Sequence, residues 1–171
     1  TDPQTHRGYI VPVNAPDPST NRAAFLASAL SMLQVQTLGN ESEAMHTLFV
    51  FDSCFSGTVF TSRSSAPPPP TDRVISVAAY EQMRRHSVRA ITSGDENQRV
   101  PEQSRFMPLF ITGIQGQDGA DMNGDGYVSF TELQLWFRDT INITPQTPQF
   151  GSLLDAPGGD FLFRPMVAAS S

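Results

Sequence analysis

The chain has 171 residues, 39% hydrophobic and 16% charged, with no apolar run near the roughly 18 to 20 residues of a membrane span, which predicts one soluble folded domain rather than a disordered or fibrous chain. Eleven basic against seventeen acidic residues leave a net charge of -6, which disfavours nucleic acid and anionic membrane and favours cationic partners or substrates. A single cysteine excludes an intramolecular disulfide and a cysteine zinc site, so it is either inert or a nucleophile.

The opening residues, Thr1 to Arg7, lack an initiator methionine, an apolar leader and a strand, and are expected to be a cut end that leaves the compartment unreadable. Tyr9 to Val13 predicts a short extended stretch, kept from helix by Pro12, and residues 14–19 a loop. One helix is predicted next, capped by Thr20 or Asn21, apolar at Ala24, Phe25, Ala27, Ala29, Leu30, Leu33 and Leu38, and ended by Gly39. Thr47 to Phe51 is apolar without alternation, the pattern of a central parallel strand covered on both faces. Residues 61–72, with their run of prolines, read as an exposed linker. Val74 to Ala79 and Val88 to Thr92 are predicted strands, the second running into a Ser93-Gly94-Asp95 turn. Phe106 to Ile114 predicts a helix with Pro108 in its first turn, and Phe130 to Ile141 another, apolar at Leu133, Leu135, Trp136, Phe137 and Ile141. Asp160 to Arg164 predicts a short last strand. Helices alternating with buried strands predict an α/β layered fold.

Phe51-Asp-Ser-Cys-Phe-Ser-Gly57 stands where the Thr47–Phe51 strand runs out, the edge at which open α/β sheets place their sites. Strand alternation would set Asp52 and Cys54 on one side, about 7 Å apart. A carboxylate so close disfavours a thiolate, so Asp52 is expected to bind a cationic group of a substrate. The competing reading is a buried structural cysteine with Asp52 capping the turn.

This segment, after Leu48-Phe-Val-Phe51, resembles the nucleophile motif of the caspase-like, metacaspase-type cysteine peptidases of bacteria. Gly8-Tyr-Ile-Val-Pro-Val13 is similar to the segment following that family's catalytic His-Gly. Ala90-Ile-Thr-Ser-Gly94 resembles its next strand and substrate-pocket loop, while Thr147-Pro-Gln-Phe-Gly151 and Gly159-Asp-Phe-Leu-Phe163 resemble its C-terminal end. The resemblance spans essentially all of 1–171 and implies a caspase-like three-layer fold, a mostly parallel central sheet between helices, with the N-terminal strands in a separate chain. It implies a cysteine endopeptidase cleaving after Arg or Lys, with Cys54 as nucleophile and Asp52, Ser93 and Asp95 around the substrate's basic side chain. The family's His lies upstream of the Gly-Tyr segment. Here His6 stands close to the caspase spacing of about 50 residues before Cys54 and is the alternative, but it follows polar residues and Arg7 replaces the family's Gly, so an N-terminal fragment of the same precursor is expected to supply the catalytic His. Arg63 and Arg73, flanking the proline run, are expected self-cleavage sites.

Asp121-Met-Asn-Gly-Asp-Gly-Tyr-Val-Ser-Phe-Thr-Glu132 fits the twelve-residue calcium loop. Asp121, Asn123, Asp125, Ser129 and Glu132 would offer side-chain oxygens, Tyr127 a carbonyl, and Gly126 the sharp turn. An acidic turn that merely caps the next helix is the alternative. Two other functions compete with a peptidase: a calcium-binding interaction module with a structural cysteine, and a caspase-like pseudoenzyme scaffold.

Overall fold

The computed structural model describes residues 7–54, 62–63, 80–81, 83–94, 104–141, 147–153 and 159–165. In chain order the elements are β1 (Tyr9–Ile10), α1 (Arg22–Ser28), β2 (Leu30–Ser31), α2 (Met32–Asn40), β3 (His46–Cys54), β4 (Ser62–Arg63) and β5 (Ser87–Gly94), then α3 (Phe106–Ile114), β6 (Val128–Ser129), α4 (Phe130–Ile141), β7 (Gln149–Ser152) and β8 (Leu162–Phe163). The fold is mixed α/β.

The first departure from the sequence pattern is local. Instead of one helix over 20–38 there are two. Asn21 caps α1, its Oδ1 accepting the Ala24 N–H at 3.0 Å. Ala29 is then extended, with φ -89° and ψ 142°. Leu30 and Ser31 pair antiparallel with Ile10 and Tyr9. Ser31 restarts the helix through a full capping box with Gln34. The apolar period ran unbroken through this restart, so only the Ser-x-x-Gln spacing carried the break. Gly39 is not the terminator either. It lies inside α2, where a Cβ would come within 2.6 Å of Val88 Cγ1, so its missing side chain lets α2 lie close on β5.

The main sheet has the order β3-β5-β7-β4. Its two faces carry separate cores. Leu48 and Val50 of β3 and Ile91 of β5 join Phe106, Phe110, Leu133, Trp136 and Phe137 of α3 and α4. The alternate residues, Phe49, Phe51, Val88 and Ala90, join Met32 and Val35 of α2. Alternation along a strand sends successive side chains to opposite faces, so helices cover the sheet on both sides.

Two expectations about this sheet need correction. Thr47 to Phe51 is not central among the described strands. β5 is an inner strand, buried at every position but Arg89, while β3 stands at the end of the order and its residues from His46 to Phe51 are only half-buried. An apolar run reports contact on both faces and says nothing of whether both edges are paired. Nor are the described pairings mostly parallel. β3 and β5 are parallel, but β5–β7 and β7–β4 are antiparallel, because burial writes the same apolar pattern for either direction.

β8 forms, but it pairs with β6 rather than with the main sheet. Within the segment read as a linker, Ser62 and Arg63 pair with Ser152 and Gly151 of β7. Cleavage after Arg63 would first require this two-residue end strand to leave β7. Arg73, the rest of the linker and Val74 to Ala79 lie outside the described residues.

The C-terminal segment is tied to the foot of β5. Arg89 Nη2 donates to the Gly159 carbonyl at 2.8 Å, and its guanidinium lies 5.3 Å from the Phe130 ring centre. The Phe130 N–H donates to the Phe161 carbonyl at 2.7 Å. Burial pushes the Asp160 carboxyl above its ordinary range, opposed by the Arg89 charge and by hydrogen bonds from Thr131 and Phe161. A carboxyl raised in the folded state favours folding when protonated. Its contribution is therefore complete at low pH and lost as pH rises through the raised value. Asp160→Asn should accordingly gain stability relative to the unsubstituted protein as pH rises from about 4 to 7, measured by urea unfolding at each pH. A variant that loses ground over that range would mean the carboxyl is held down, not up.

Candidate active site and calcium loop

β3 and β5 run in parallel register from His46 opposite Ser87 to Phe51 opposite Thr92, and then slip. The next pair is Cys54 with Gly94, so β3 advances three residues where β5 advances two. The extra residue makes a bulge, a device that bends a strand and re-aims its side chains. It sets Asp52 and Ser53 beside Ser93, with Cys54 as the last strand residue. Regular backbone register does not run on from Phe51 to Cys54.

Asp52 is exposed, and its Oδ1 accepts a 2.6 Å hydrogen bond from Ser104 Oγ. Ser104 Oγ in turn accepts the Phe106 N–H at 3.2 Å, at the start of α3. Ser93 is 0% exposed and its Oγ has no hydrogen-bond partner among the described residues. The neighbouring Thr92 Oγ1 donates to the Gly94 carbonyl at 3.2 Å. The structure thus brings together the strand end of Cys54, Asp52 and Ser93, and adds Ser104, which the sequence reading missed. The only signal for Ser104 was a serine just before an apolar helical run. Asp95 and His6 lie outside the described residues.

His46 and His86 are at the far end of the sheet. His46 opens β3 opposite Ser87, with Nε2 3.2 Å from the Arg85 carbonyl oxygen and its ring against Phe161. His86 immediately precedes β5. At about 3.3 Å per strand residue, His46 is on the order of 26 Å from Cys54, beyond any direct proton transfer.

The 121–132 loop begins beyond α3 and a 3-10 turn at Gln117–Gly119, and ends on the first turn of α4. Gly126 adopts φ 86°, the left-handed conformation for which glycine is suited. Asp121 Oδ1 accepts the N–H groups of Gly124 and Asp125 at 2.8 and 3.2 Å, and its Oδ2 that of Gly126 at 2.9 Å. Asn123 Oδ1 accepts the Asp125 N–H at 2.9 Å, and Asp125 Oδ1 accepts that of Tyr127 at 2.9 Å. Ser129 caps α4, accepting the Glu132 N–H at 3.1 Å. Glu132 Oε2 accepts both the N–H and the hydroxyl of Ser129 at 2.9 Å, and Oε1 accepts the Met122 and Asn123 N–H groups at 3.2 Å. Glu132 is 2% exposed. Burial pushes its carboxyl up, and the Asp125 carboxylate adds to the rise against the hydrogen bonds.

Asp121, Asn123, Asp125, Tyr127, Ser129 and Glu132 offer an all-oxygen donor set from one loop, the chemistry that suits calcium, and the buried Glu132 has another carboxylate as its charged influence. In the described arrangement these carboxylates are turned to the loop's own amides. Among the described residues no three His, Cys, Asp or Glu side chains form a ready metal cluster.

No protein-family model matches the chain, and neither does any curated protein or solved structure. Among the described residues no helix is long and apolar enough to cross a membrane.

Proposed function

We propose that this chain carries the nucleophile of a caspase-like cysteine endopeptidase that cuts after arginine or lysine. The observation that supports the reading best is the common ending of a parallel strand pair. Cys54 registers with Gly94 there, with exposed Asp52 and buried Ser93 beside them, at the strand edge where α/β sheets hold their sites.

In this reading the Cys54 thiolate attacks the scissile carbonyl, the C–N bond breaks, and an imidazolium protonates the departing amine. Water then hydrolyses the thioester, releasing the new carboxyl end and restoring Cys54. The imidazole belongs to an N-terminal fragment of the same precursor. Two features favour this partner: both described histidines lie at the wrong end of the sheet, and the outer edge of half-buried, apolar β3 has no strand beside it among the described residues. The 121–132 loop would hold calcium as a stabilising ion, with Asp121, Asn123, Asp125, Tyr127, Ser129 and Glu132 as ligands.

Asp52 sets the preference for basic residues. A charge-assisted hydrogen bond to a guanidinium is worth roughly 1.5 to 3 kcal/mol, about ten- to a hundredfold. Asp52→Ala should therefore lower kcat/KM on arginine-ended peptides by at least about tenfold, while labelling of Cys54 by iodoacetamide and the melting temperature stay near their original values. A preference for peptides ending in aspartate, or an Asp52→Ala enzyme with unchanged selectivity, would sink the assignment.

A further inference from the structure

We infer that Ser104 is a positioning residue for substrate selection: its hydroxyl fixes the carboxylate plane of Asp52 so that arginine is preferred over lysine. The inference rests on the reading of Asp52 as the partner of the basic side chain.

A serine hydroxyl has a single proton to donate. Ser104 Oγ accepts the Phe106 N–H at 3.2 Å and stands 2.6 Å from Asp52 Oδ1. A carboxylate only accepts, so the serine proton is committed to Asp52. The result is a directed chain from the first amide of α3, through Ser104, to Oδ1 of Asp52.

The two ends of this chain differ in rigidity. Phe106 is 0% exposed and Phe110 8%, both in the core shared with α4, so α3 is a firm anchor. Asp52 is exposed and sits in the bulge, where its own strand does little to fix its side-chain torsions. The contact joins residues 52 positions apart, and ties the exposed group to the anchored one. With Oδ1 held, Oδ2 and the second lone pair of Oδ1 keep one plane for an incoming side chain.

That plane matters unequally to the two basic residues. A guanidinium is a flat fork that needs coplanar acceptors, whereas an ammonium is a point charge with rotatable donors. Removing the Ser104 hydroxyl should therefore harm arginine recognition more than lysine recognition.

The test uses the full-length precursor with matched arginine- and lysine-ended peptides. Ser104→Ala should raise KM for the arginine peptide about three- to tenfold with kcat within twofold, and change KM for the lysine peptide less than twofold. Ser104→Thr, which keeps the hydroxyl, should restore the arginine KM. Loss of the hydrogen bond that Ser104 Oγ accepts from the Phe106 N–H lowers the melting temperature in Ser104→Ala whatever the role of the residue, but a purely structural role would alter both peptides and both constants together. Equal losses on the two peptides, or no rescue by threonine, would overturn the inference. If Asp52→Ala abolishes the basic preference while Ser104→Ala leaves arginine KM unchanged, the positioning role fails and the Asp52 reading survives. If Asp52→Ala leaves the preference intact, both fail.

Discussion

Replacing Cys54 by alanine should lower the peptidase activity of the full-length precursor by at least about a thousandfold, because in the proposed mechanism its sulfur forms the acyl intermediate. His46→Ala and His86→Ala should keep kcat/KM within about threefold. The contrast follows from the sheet: β3 is nine residues long and carries His46 at one end and Cys54 at the other, so neither residue can serve the other. Rapid labelling by iodoacetamide near pH 6 should accompany the activity, since only an activated thiolate reacts there. Loss of activity on changing His46 or His86 would require a site at the opposite end of the sheet and would end the peptidase reading as stated. His6 tests the separate-fragment account directly, because complete loss with His6→Ala would place the whole dyad in this chain.

What could be read in advance was whatever the chain encodes locally. α3 and α4 begin and end where their apolar period does, and Pro108 sits in the first turn of α3, where its missing N–H costs nothing. The turn at Gly126 and the local hydrogen bonding of the 121–132 loop were legible for the same reason, all lying within twelve consecutive residues. Strand β5 was found but read too short. The helix over 20–38 failed because Leu30 is apolar both as a helical residue and as a partner of Ile10, and periodicity cannot tell the two apart. The place of β3 at the end of the described order was illegible because it depends on which strands find which edges. So was the bulge after Phe51, which appears only when β3 and β5 are laid side by side. The Asp52–Ser104 contact is the clearest case. Each residue is unremarkable alone, and only the packing of α3 against the sheet makes them neighbours.

Calcium at a hundredfold excess over its dissociation constant should raise the melting temperature by about 5 to 10 °C, and Glu132→Gln should remove the response. The size follows from mass action, since a ligand at that excess adds about 2.7 kcal/mol, and about 2 to 4 °C accompanies each kcal/mol in a domain of this length. The sign follows from Glu132. Its carboxylate is 2% exposed, accepts hydrogen bonds only from Met122, Asn123 and Ser129 among the described residues, and is pushed up by burial with Asp125 adding to the rise. With the folded value raised, the metal-free protein is stabilised by protonation here and loses that contribution as pH rises through the raised value. A bound dication reverses the balance, because protons then compete with the metal for the same oxygens. The calcium-induced shift should therefore shrink as pH falls from about 7 toward 4. The stabilisation should also reach beyond the loop. Ser129 and Glu132 cap α4, Phe130 is hydrogen-bonded to Phe161, and Thr131 to Asp160, whose neighbour Arg89 belongs to β5. Slower amide exchange at Phe130 and along β5 on adding calcium would show that coupling. An unchanged melting temperature at millimolar calcium would remove the metal claim and leave residues 121–132 as an acidic turn that caps α4 through Ser129 and Glu132.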